Sequence, residues 1–191
     1  MGRIVVTEFV SLDGVVEDPG GVGDFKYRGW SFEFDRGPKG DAFKLDEARA
    51  SAALLLGRVT YETFAANWPQ REGELADKLN SMPKYVVSST LEHPEWTNST
   101  VVNGDDLVEE VSKLKQEADG DIVVHGSVQL AQALLEHDLV DELRLMVYPV
   151  ILGTGKRLFG DAGEKKTVRL VDSKVVGDGV VILSYASAPS A

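Results

Sequence analysis

The sequence predicts a three-layer α/β protein, with a mostly parallel central sheet, helices on both faces and an antiparallel C-terminal hairpin. Short β-branched runs alternate with apolar residues at helical spacing over most of the chain, a pattern typical of βα units. Gly177-Asp178-Gly179 separates the last two β-rich stretches, which indicates a tight hairpin turn. No linker or internal repeat interrupts this pattern. The sequence therefore predicts one domain over 1–187, followed by a short tail at 188–191.

Strands are predicted wherever a short apolar run is bounded by glycine, proline or polar residues. These runs occupy residues 4–10, 54–56, 85–89, 100–102, 121–125, 141–152, 167–176 and 179–186. Helical spacing predicts helices over residues 41–51, 60–66, 73–81 and 107–118 and after Gly126. Thr60 is expected to cap its helix with the side-chain hydroxyl. The segment from Asp13 to Gly40 has little periodicity, and a loop of that length is usually functional or covers a site.

The composition narrows the classes of function. The chain has no cysteine, which excludes disulfides, thiolate metal sites and cysteine nucleophiles. Its net charge is −11 with no basic patch, so no nucleic-acid partner is expected. No run reaches 18 apolar residues and the first residues form a strand pattern, so we expect a cytoplasmic protein without a membrane partner. The three histidines lack carboxylates at ligand spacing, and no metal site is predicted.

Three strand ends carry residues that suit a nucleotide. Gly57 would let a ligand approach the backbone, Arg58 could pair with a phosphate, and Thr60 begins the following helix. Ser88–Ser89 place hydroxyls at the end of another predicted strand. Gly126–Ser127 lie between a strand and a helix N-terminus, where free amides and the helix dipole favour an anion. Ligands of open α/β sheets bind at the carboxyl ends of the strands, where all three segments lie.

Each of these segments also has an ordinary structural interpretation. A glycine between a strand and a helix is typical of a tight turn, an arginine after a strand is usually solvated, and paired serines often mark a turn. The chain has neither a GxGxxG nor a P-loop pattern. The residues alone therefore indicate a nucleotide site and do not name a reaction.

The order of five motifs resembles a known superfamily. They are SLDG at 11–14, LLLGRVTYE at 54–62, KYVVSS at 84–89, VVHGSVQLAQALL at 123–135 and VDELRLMVYPVILGTGKRLF at 140–159. Together they resemble the dihydrofolate-reductase-like superfamily, in particular the branch containing the C-terminal reductase domain of the bacterial bifunctional riboflavin biosynthesis protein. The chain lacks the cysteines of that protein's zinc deaminase domain, so only the reductase part is matched.

The resemblance implies NADPH as the cofactor, lying across the carboxyl edge of the sheet. It places Arg58 at the adenosine 2′-phosphate with Thr60 on the adjoining helix, and Ser88–Ser89 at the adenine. It places Gly126 and Ser127 around the diphosphate, with Gly-Ser in this chain instead of the usual Gly-Gly.

The resemblance also suggests residues for the catalytic and substrate sides. Dihydrofolate reductases carry a catalytic carboxylate on the first helix, which points to Asp41 here, with Asp46 and Glu47 in the same stretch; a solvated helix start is the alternative. Asp13 follows the first strand and would lie near the nicotinamide and substrate, or be a turn residue beside a glycine. Dihydrofolate reductases also carry a characteristic tryptophan in the loop before this helix. Trp30 could correspond to it and line a substrate pocket, or it could seal the core.

The resulting prediction is an NADPH-dependent reductase that transfers a hydride to a small conjugated or carbonyl substrate. A pterin-like or ribosylaminopyrimidine-like compound is the expected substrate class. Two alternatives remain at this point: a nucleotide-binding protein that has lost catalysis, and an authentic dihydrofolate reductase. A homodimer is expected, because the superfamily tends to dimerise and the closing strands are apolar.

Overall fold

A computed structural model describes residues 1–160 and 163–187, and the tail predicted at 188–191 lies outside them. The chain runs β1 (Arg3–Ser11), α1 (Gly37–Ala50), β2 (Ser51–Gly57), α2 (Arg58–Asn67), α3 (Glu74–Ser81), β3 (Lys84–Val87), β4 (Ser99–Val102), α4 (Leu107–Glu117), β5 (Asp121–His125), α5 (Val128–Glu136), β6 (Glu142–Tyr148), β7 (Val168–Val176) and β8 (Val180–Ser187). Short 3₁₀ turns lie at Trp30–Glu33, Trp68–Gln70 and Gly104–Asp106.

The strands form one eight-stranded sheet in the order β4-β3-β2-β5-β1-β6-β8-β7. The first six strands in that order are parallel, and β8 pairs antiparallel with both β6 and β7. The α/β class and the antiparallel C-terminal hairpin are therefore confirmed. Because β1 pairs with β5 and β6, the first strand of the chain lies in the middle of the sheet.

Apolar residues on alternate positions of the strands build a core on each face of the sheet. One core contains Val6 of β1 and Val124 of β5, packed with Leu134 of α5. On the opposite face, Leu54 of β2 packs with Leu79 of α3. A third cluster, centred on Trp30 and Tyr148, extends over the hairpin side: Met146, Val176, Val180 and Ile182.

Several element boundaries differ from the prediction. Helix α1 begins at Gly37, four residues before the predicted start, because Pro38 is well suited to the first helical turn. Helix α2 begins at Arg58, so the prediction that Thr60 caps it is wrong; Gly57 holds the N-cap position and Thr60 lies within the first turn. Strand β3 ends at Val87, and Ser88–Ser89 therefore begin the following loop.

Among the helices of the described residues, none combines the length and the apolar character that crossing a bilayer requires.

Candidate active site

A cavity of about 950 Å³ lies at the carboxyl ends of β1, β2, β3 and β5. It brings together all the residues that the sequence predicted to bind a nucleotide: Gly57, Arg58, Thr60, Ser88, Ser89, Gly126 and Ser127. Adjacent parallel strands end at the same edge of the sheet, which is why segments distant in sequence meet here.

Two helix N-termini are joined side by side in the wall of this cavity. The amide of Gly57 donates to Ser127 Oγ at 2.9 Å, and the amide of Ser127 donates to Thr60 Oγ1 at 2.9 Å. Thr60 thus connects α2 to α5, where the sequence predicted a cap. Because the first amides of a helix have no intrahelical acceptor, α2 and α5 together direct free N–H groups and the positive ends of two dipoles toward one region.

Gly126 is specifically required at this junction. Its φ is 54°, in the left-handed region, and a Cβ at this position would lie 3.1 Å from Thr60 Oγ1. A side chain would therefore both strain the backbone and press on the residue that connects the two helices. The amide of Ser127 is already donated to Thr60, so the anion-facing amides are those that follow it in α5.

Next to this junction the cavity lining also carries a cation and hydroxyls. Arg58 is about half exposed; its Nε donates to Glu62 Oε1 at 2.7 Å and its NH1 to Thr90 Oγ1 at 2.6 Å. Ser88 Oγ accepts from the amides of Thr90 and Leu91 and so shapes the loop. A guanidinium beside hydroxyls can take a phosphate monoester bidentately. These donors and the cavity volume fit a phosphorylated dinucleotide.

A cluster of buried titratable groups lies at the base of the cavity. Lys44 Nζ donates to Thr7 Oγ1 at 3.0 Å and to Glu47 Oε2. Burial opposes ionisation of Glu47, but the neighbouring positive charges, Lys44 first, and the hydrogen bond from Lys44 together outweigh it and lower the pKa of this carboxyl. At the end of β5, desolvation and the nearby Lys44 charge lower the pKa of His125 to about 3, so its imidazole is neutral at physiological pH.

Glu8 lines the same cavity and differs from Glu47 in having no ion-pair partner within residues 1–160 and 163–187. The residue is 4% exposed, and among the described residues no hydrogen-bond donor reaches its buried Oε1. Burial raises the pKa of Glu8 well above its usual value, although Lys44 and the amide of Gly126 act in the opposite direction.

Sequence reasoning missed Glu8 because it lies within the run Ile4–Val10, which was interpreted only as a strand. The available signal was a carboxylate inside that apolar run.

Asp13 lies outside the cavity lining, in a turn after β1. Its Oδ1 accepts from Ser11 Oγ at 2.7 Å and from the amide of Leu152 at 3.1 Å, and its Oδ2 accepts from the amide of Gly153 at 2.8 Å. Desolvation opposes the effect of these bonds, but together they outweigh it and lower the pKa of Asp13 to about 2. These contacts correspond to the turn interpretation, in which the carboxylate joins the first strand to the loop after β6.

The structure corrects two predictions about the substrate side. Trp30 is fully buried, stacks edge-on with Tyr148 and donates its Nε1 to the carbonyl of Glu17, so the indole has no surface for a substrate. Asp41 is exposed on α1, pairs with Arg36 Nε at 2.6 Å and does not line the cavity. Trp30 therefore seals the core, and Asp41 lies at a solvated helix start. Both were the alternatives that the sequence left open.

Comparison with known proteins agrees with the fold described above and with the family that the sequence motifs resemble. The RibD C-terminal domain family matches residues 3–182. The chain is 31% identical over 188 residues to "Uncharacterized protein YyaP" of Bacillus subtilis, covering 96% of this chain and 94% of that one. A provisionally named riboflavin biosynthesis protein from Shewanella sp. PV-4 has a TM-score of 0.77 at 23% identity, over 97% of this chain and 99% of that one. RibD of Acinetobacter baumannii has a TM-score of 0.63 at 17% identity, over 98% of this chain and 58% of that one.

The sheet order, the closing hairpin and a cavity along the carboxyl edge define a protein of the dihydrofolate-reductase-like class. Within that class, the match over residues 3–182 decides the family. The chain belongs to the RibD C-terminal domain family and has its reductase-like fold.

Proposed function

We propose that this chain is an NADPH-dependent reductase that transfers a hydride to a small conjugated or carbonyl substrate. The observation that carries the proposal is the pair of joined helix N-termini at Gly57 and Ser127, with Arg58 and Thr90 farther along the same cavity. Helix amides suit a diphosphate, and a guanidinium beside a hydroxyl suits a separate phosphate. Membership of a reductase domain family supports the same assignment.

Each part of the cofactor has a proposed site among these residues. The amides at the start of α2 and α5 bind the diphosphate, and Gly126 permits its close approach to the backbone. Arg58 binds the 2′-phosphate, since it can exchange its bond to Glu62 for a more strongly charged acceptor. Ser88 and Ser89 flank the adenine. The bound cofactor supplies the hydride, and the protein supplies orientation and electrostatics.

The substrate side favours a reductase other than dihydrofolate reductase itself. An authentic dihydrofolate reductase would present its helix carboxylate to the substrate, whereas Asp41 is exposed and paired with Arg36. Pterin-like and ribosylaminopyrimidine-like compounds nevertheless remain the first classes to assay, because both carry conjugated C=N or C=O groups that accept a hydride.

A thermal-shift titration tests the cofactor assignment. At about 100 times the dissociation constant, a ligand that binds only the folded state adds roughly 2.7 kcal/mol to its stability. We expect NADPH and NADP⁺ to raise the melting temperature at lower concentrations than NADH. Arg58→Ala should abolish that preference, whereas Arg49→Ala, which removes an exposed ion-paired arginine outside the cavity, should retain it. No shift with any nucleotide would contradict the proposal.

Oxidation of NADPH then separates a reductase from a binding protein. Wild-type protein is incubated with NADPH and a panel of pterins, pyrimidines, quinones and carbonyl compounds, and the absorbance of the reduced nicotinamide is followed. Turnover of any compound supports hydride transfer. If the protein binds NADPH tightly but turns over no compound of the panel, a nucleotide-binding protein that has lost catalysis is favoured.

A further inference from the structure

Glu8 lies where the proposed cofactor would end. The proposed cofactor residues follow the strand order from the loop after β3, through Gly57 and Arg58 after β2, to Gly126 after β5. The next strand in that order is β1, and Glu8 is the carboxylic acid of β1 that lines the cavity. A dinucleotide with its adenosine at Arg58 and its diphosphate at Gly126 would bring its nicotinamide to β1.

The surroundings of Glu8 give its carboxyl group no cation to pair with among the described residues. The two-residue period of a strand places it on the same face as Val6 and Val10, which belong to the apolar core under α5. Lys44 approaches β1 from the opposite face, where its Nζ is bonded to Thr7 and Glu47. Glu8 is therefore buried without the ion pair that a charged carboxylate needs.

The other charged groups near Glu8 do not supply that partner. Lys44 of α1 is paired with Glu47 of the same helix. The other carboxylate oxygen of Glu47, Oε1, lies 3.5 Å from NH1 of Arg144 in β6. From β5, His125 is neutral, because desolvation and the Lys44 charge lower its pKa to about 3. The nearest cation is thus already compensated, and the uncharged form of Glu8 is favoured.

We propose that Glu8 is a neutral carboxylic acid at the reactive end of the cavity and donates its proton to the atom beside the carbon that accepts the hydride. This inference rests on the proposed reductase function and names the group that completes it. It also restricts the substrate to acceptors with a polarised C=N or C=O bond, whose heteroatom needs a proton when the carbon is reduced.

The step balances in atoms and electrons. The acceptor carbon gains a hydride, two electrons and one proton, from the reduced nicotinamide, which is thereby oxidised. The π electron pair of the C=N or C=O bond moves to the heteroatom, which forms a bond to the acidic hydrogen of Glu8. The Glu8 carboxylate that remains is reprotonated from water after the product leaves.

Infrared difference spectroscopy tests the state and the position of Glu8 without a substrate. The wild-type minus Glu8→Gln spectrum at pH 7 should contain the C=O stretch of a protonated carboxyl, which moves in D₂O and shifts again when NADPH saturates the protein. Glu17→Gln is the matched control: it removes another glutamate of the cavity lining, one that accepts a bond from the Lys156 amide, and should leave that band in place. A difference spectrum with carboxylate bands only, or a band that NADPH leaves unchanged, would overturn the proposal.

A pair of acceptors tests proton donation itself. At a pH high enough to keep it unprotonated in solution, the cyclic imine 3,4-dihydroisoquinoline needs a proton when it accepts a hydride, whereas its N-methyl iminium salt needs none. General acids contribute roughly 100- to 10,000-fold, so Glu8→Gln should slow imine reduction by that factor and leave iminium reduction within about twofold. Glu8→Asp, which keeps an acid one methylene shorter, should recover part of the rate, and the wild-type imine rate should fall as pH rises through the Glu8 pKa.

The outcomes separate this inference from the proposed function. Equal slowing of both acceptors, or of neither, would overturn the role of Glu8 as proton donor. If the wild type binds no NADPH and reduces neither acceptor, the reductase proposal fails, while the infrared band still decides whether Glu8 is a neutral acid. Glu8→Gln should fold, because it replaces a neutral carboxyl with a neutral amide of the same shape, and its melting temperature checks this.

Discussion

At the scale of single residues, Lys84 shows how a buried charge can hold loops together. The side chain is fully buried, and its Nζ donates to the carbonyls of Asn80, Met82 and Thr97 at 2.7–2.9 Å. It also lies 4.3 Å from the centre of the Trp96 ring. One ammonium group thereby satisfies the carbonyls of two segments that flank β3.

Replacing Lys84 should destabilise the protein more than a typical substitution. Lys84→Met keeps most of the apolar stem but leaves three carbonyls without their donor, and a lost partner costs about 1–3 kcal/mol per group. We expect a fall of about 3 kcal/mol in the free energy of unfolding, measured by urea denaturation. Lys39→Met, at an exposed position of α1, should change it by less than about 0.5 kcal/mol. Similar losses in the two variants would contradict the role given to Lys84.

Asp13 should make stability depend on acid pH. Its pKa is about 2 when folded and 3.8 is the ordinary value, so the folded protein releases this proton more readily than the unfolded chain. The resulting stabilisation is present above about pH 4 and is lost as pH falls toward 2. Asp13→Asn should therefore be less stable than wild type at pH 6, with the difference shrinking between pH 4 and pH 2. Unfolding curves at each pH measure this, and a constant difference would argue against it.

Single residues also show what a sequence can reveal about a site. Gly57, Arg58 and Gly126 were predictable, because a strand, a glycine and a helix start succeed one another in the sequence and parallel strands bring such ends together. Glu8 and Trp30 were not. A carboxylate in an apolar run and an aromatic residue in a long loop can face either a cavity or a core, and only the packing of distant segments decides which.

At the scale of elements, the contact between α2 and α5 determines the shape of the cavity. Thr60 Oγ1 and Ser127 Oγ each accept one amide from the other helix start, so neither helix can shift without breaking a bond. The sequence predicted both helices and both residues, but it assigned Thr60 to capping. Intrahelical and interhelical uses of a threonine hydroxyl have the same local sequence pattern, which is why this bond could not be predicted.

Removing that hydroxyl should weaken both the fold and cofactor binding. Thr60→Val keeps the shape of the side chain but leaves the Ser127 amide without its acceptor, which costs about 1–2 kcal/mol. We expect a lower free energy of unfolding and a smaller thermal shift with NADPH than in the wild type. Thr100→Val, at an exposed position of β4, is the control and should affect neither measurement. An unchanged NADPH shift in Thr60→Val would indicate that the diphosphate lies elsewhere.

At the scale of the whole molecule, β7 is an edge strand with unusual exposure. All of its residues except Val176 are exposed, and its exposed apolar side chains include Leu170 and Val175, which lie on the same face because a bulge between Leu170 and Asp172 shifts the register. Long exposed apolar edges favour pairing with another chain. The parallel sheet and the hairpin were predictable from the alternating pattern, but the exposure of this edge was not, since it depends on what covers the strand.

We expect a second copy of the chain to cover this edge. Antiparallel pairing of β7 with its symmetry mate would continue the sheet and bury the same patch on both copies, as a twofold dimer requires. Light scattering after size exclusion should give the dimer mass at micromolar concentration, and Leu170→Lys with Val175→Lys should give a monomer. The same pair of changes at exposed Val59 and Val108, outside the edge, should leave the mass unchanged. A monomeric wild type would refute this expectation.

The central position of β1 has a consequence for how the protein is made. Residues 3–11 are synthesised long before their partners Asp121–His125 and Glu142–Tyr148, so the middle of the sheet cannot close until the chain has been made through Tyr148. Contacts this distant in sequence slow folding, because a long loop must be ordered before it is stabilised. The nascent chain must therefore carry the apolar run of β1 unpaired until β5 and β6 have been made. Glu8, the one carboxylate in that run, would be ionised in water at that stage and would oppose aggregation of the waiting strand.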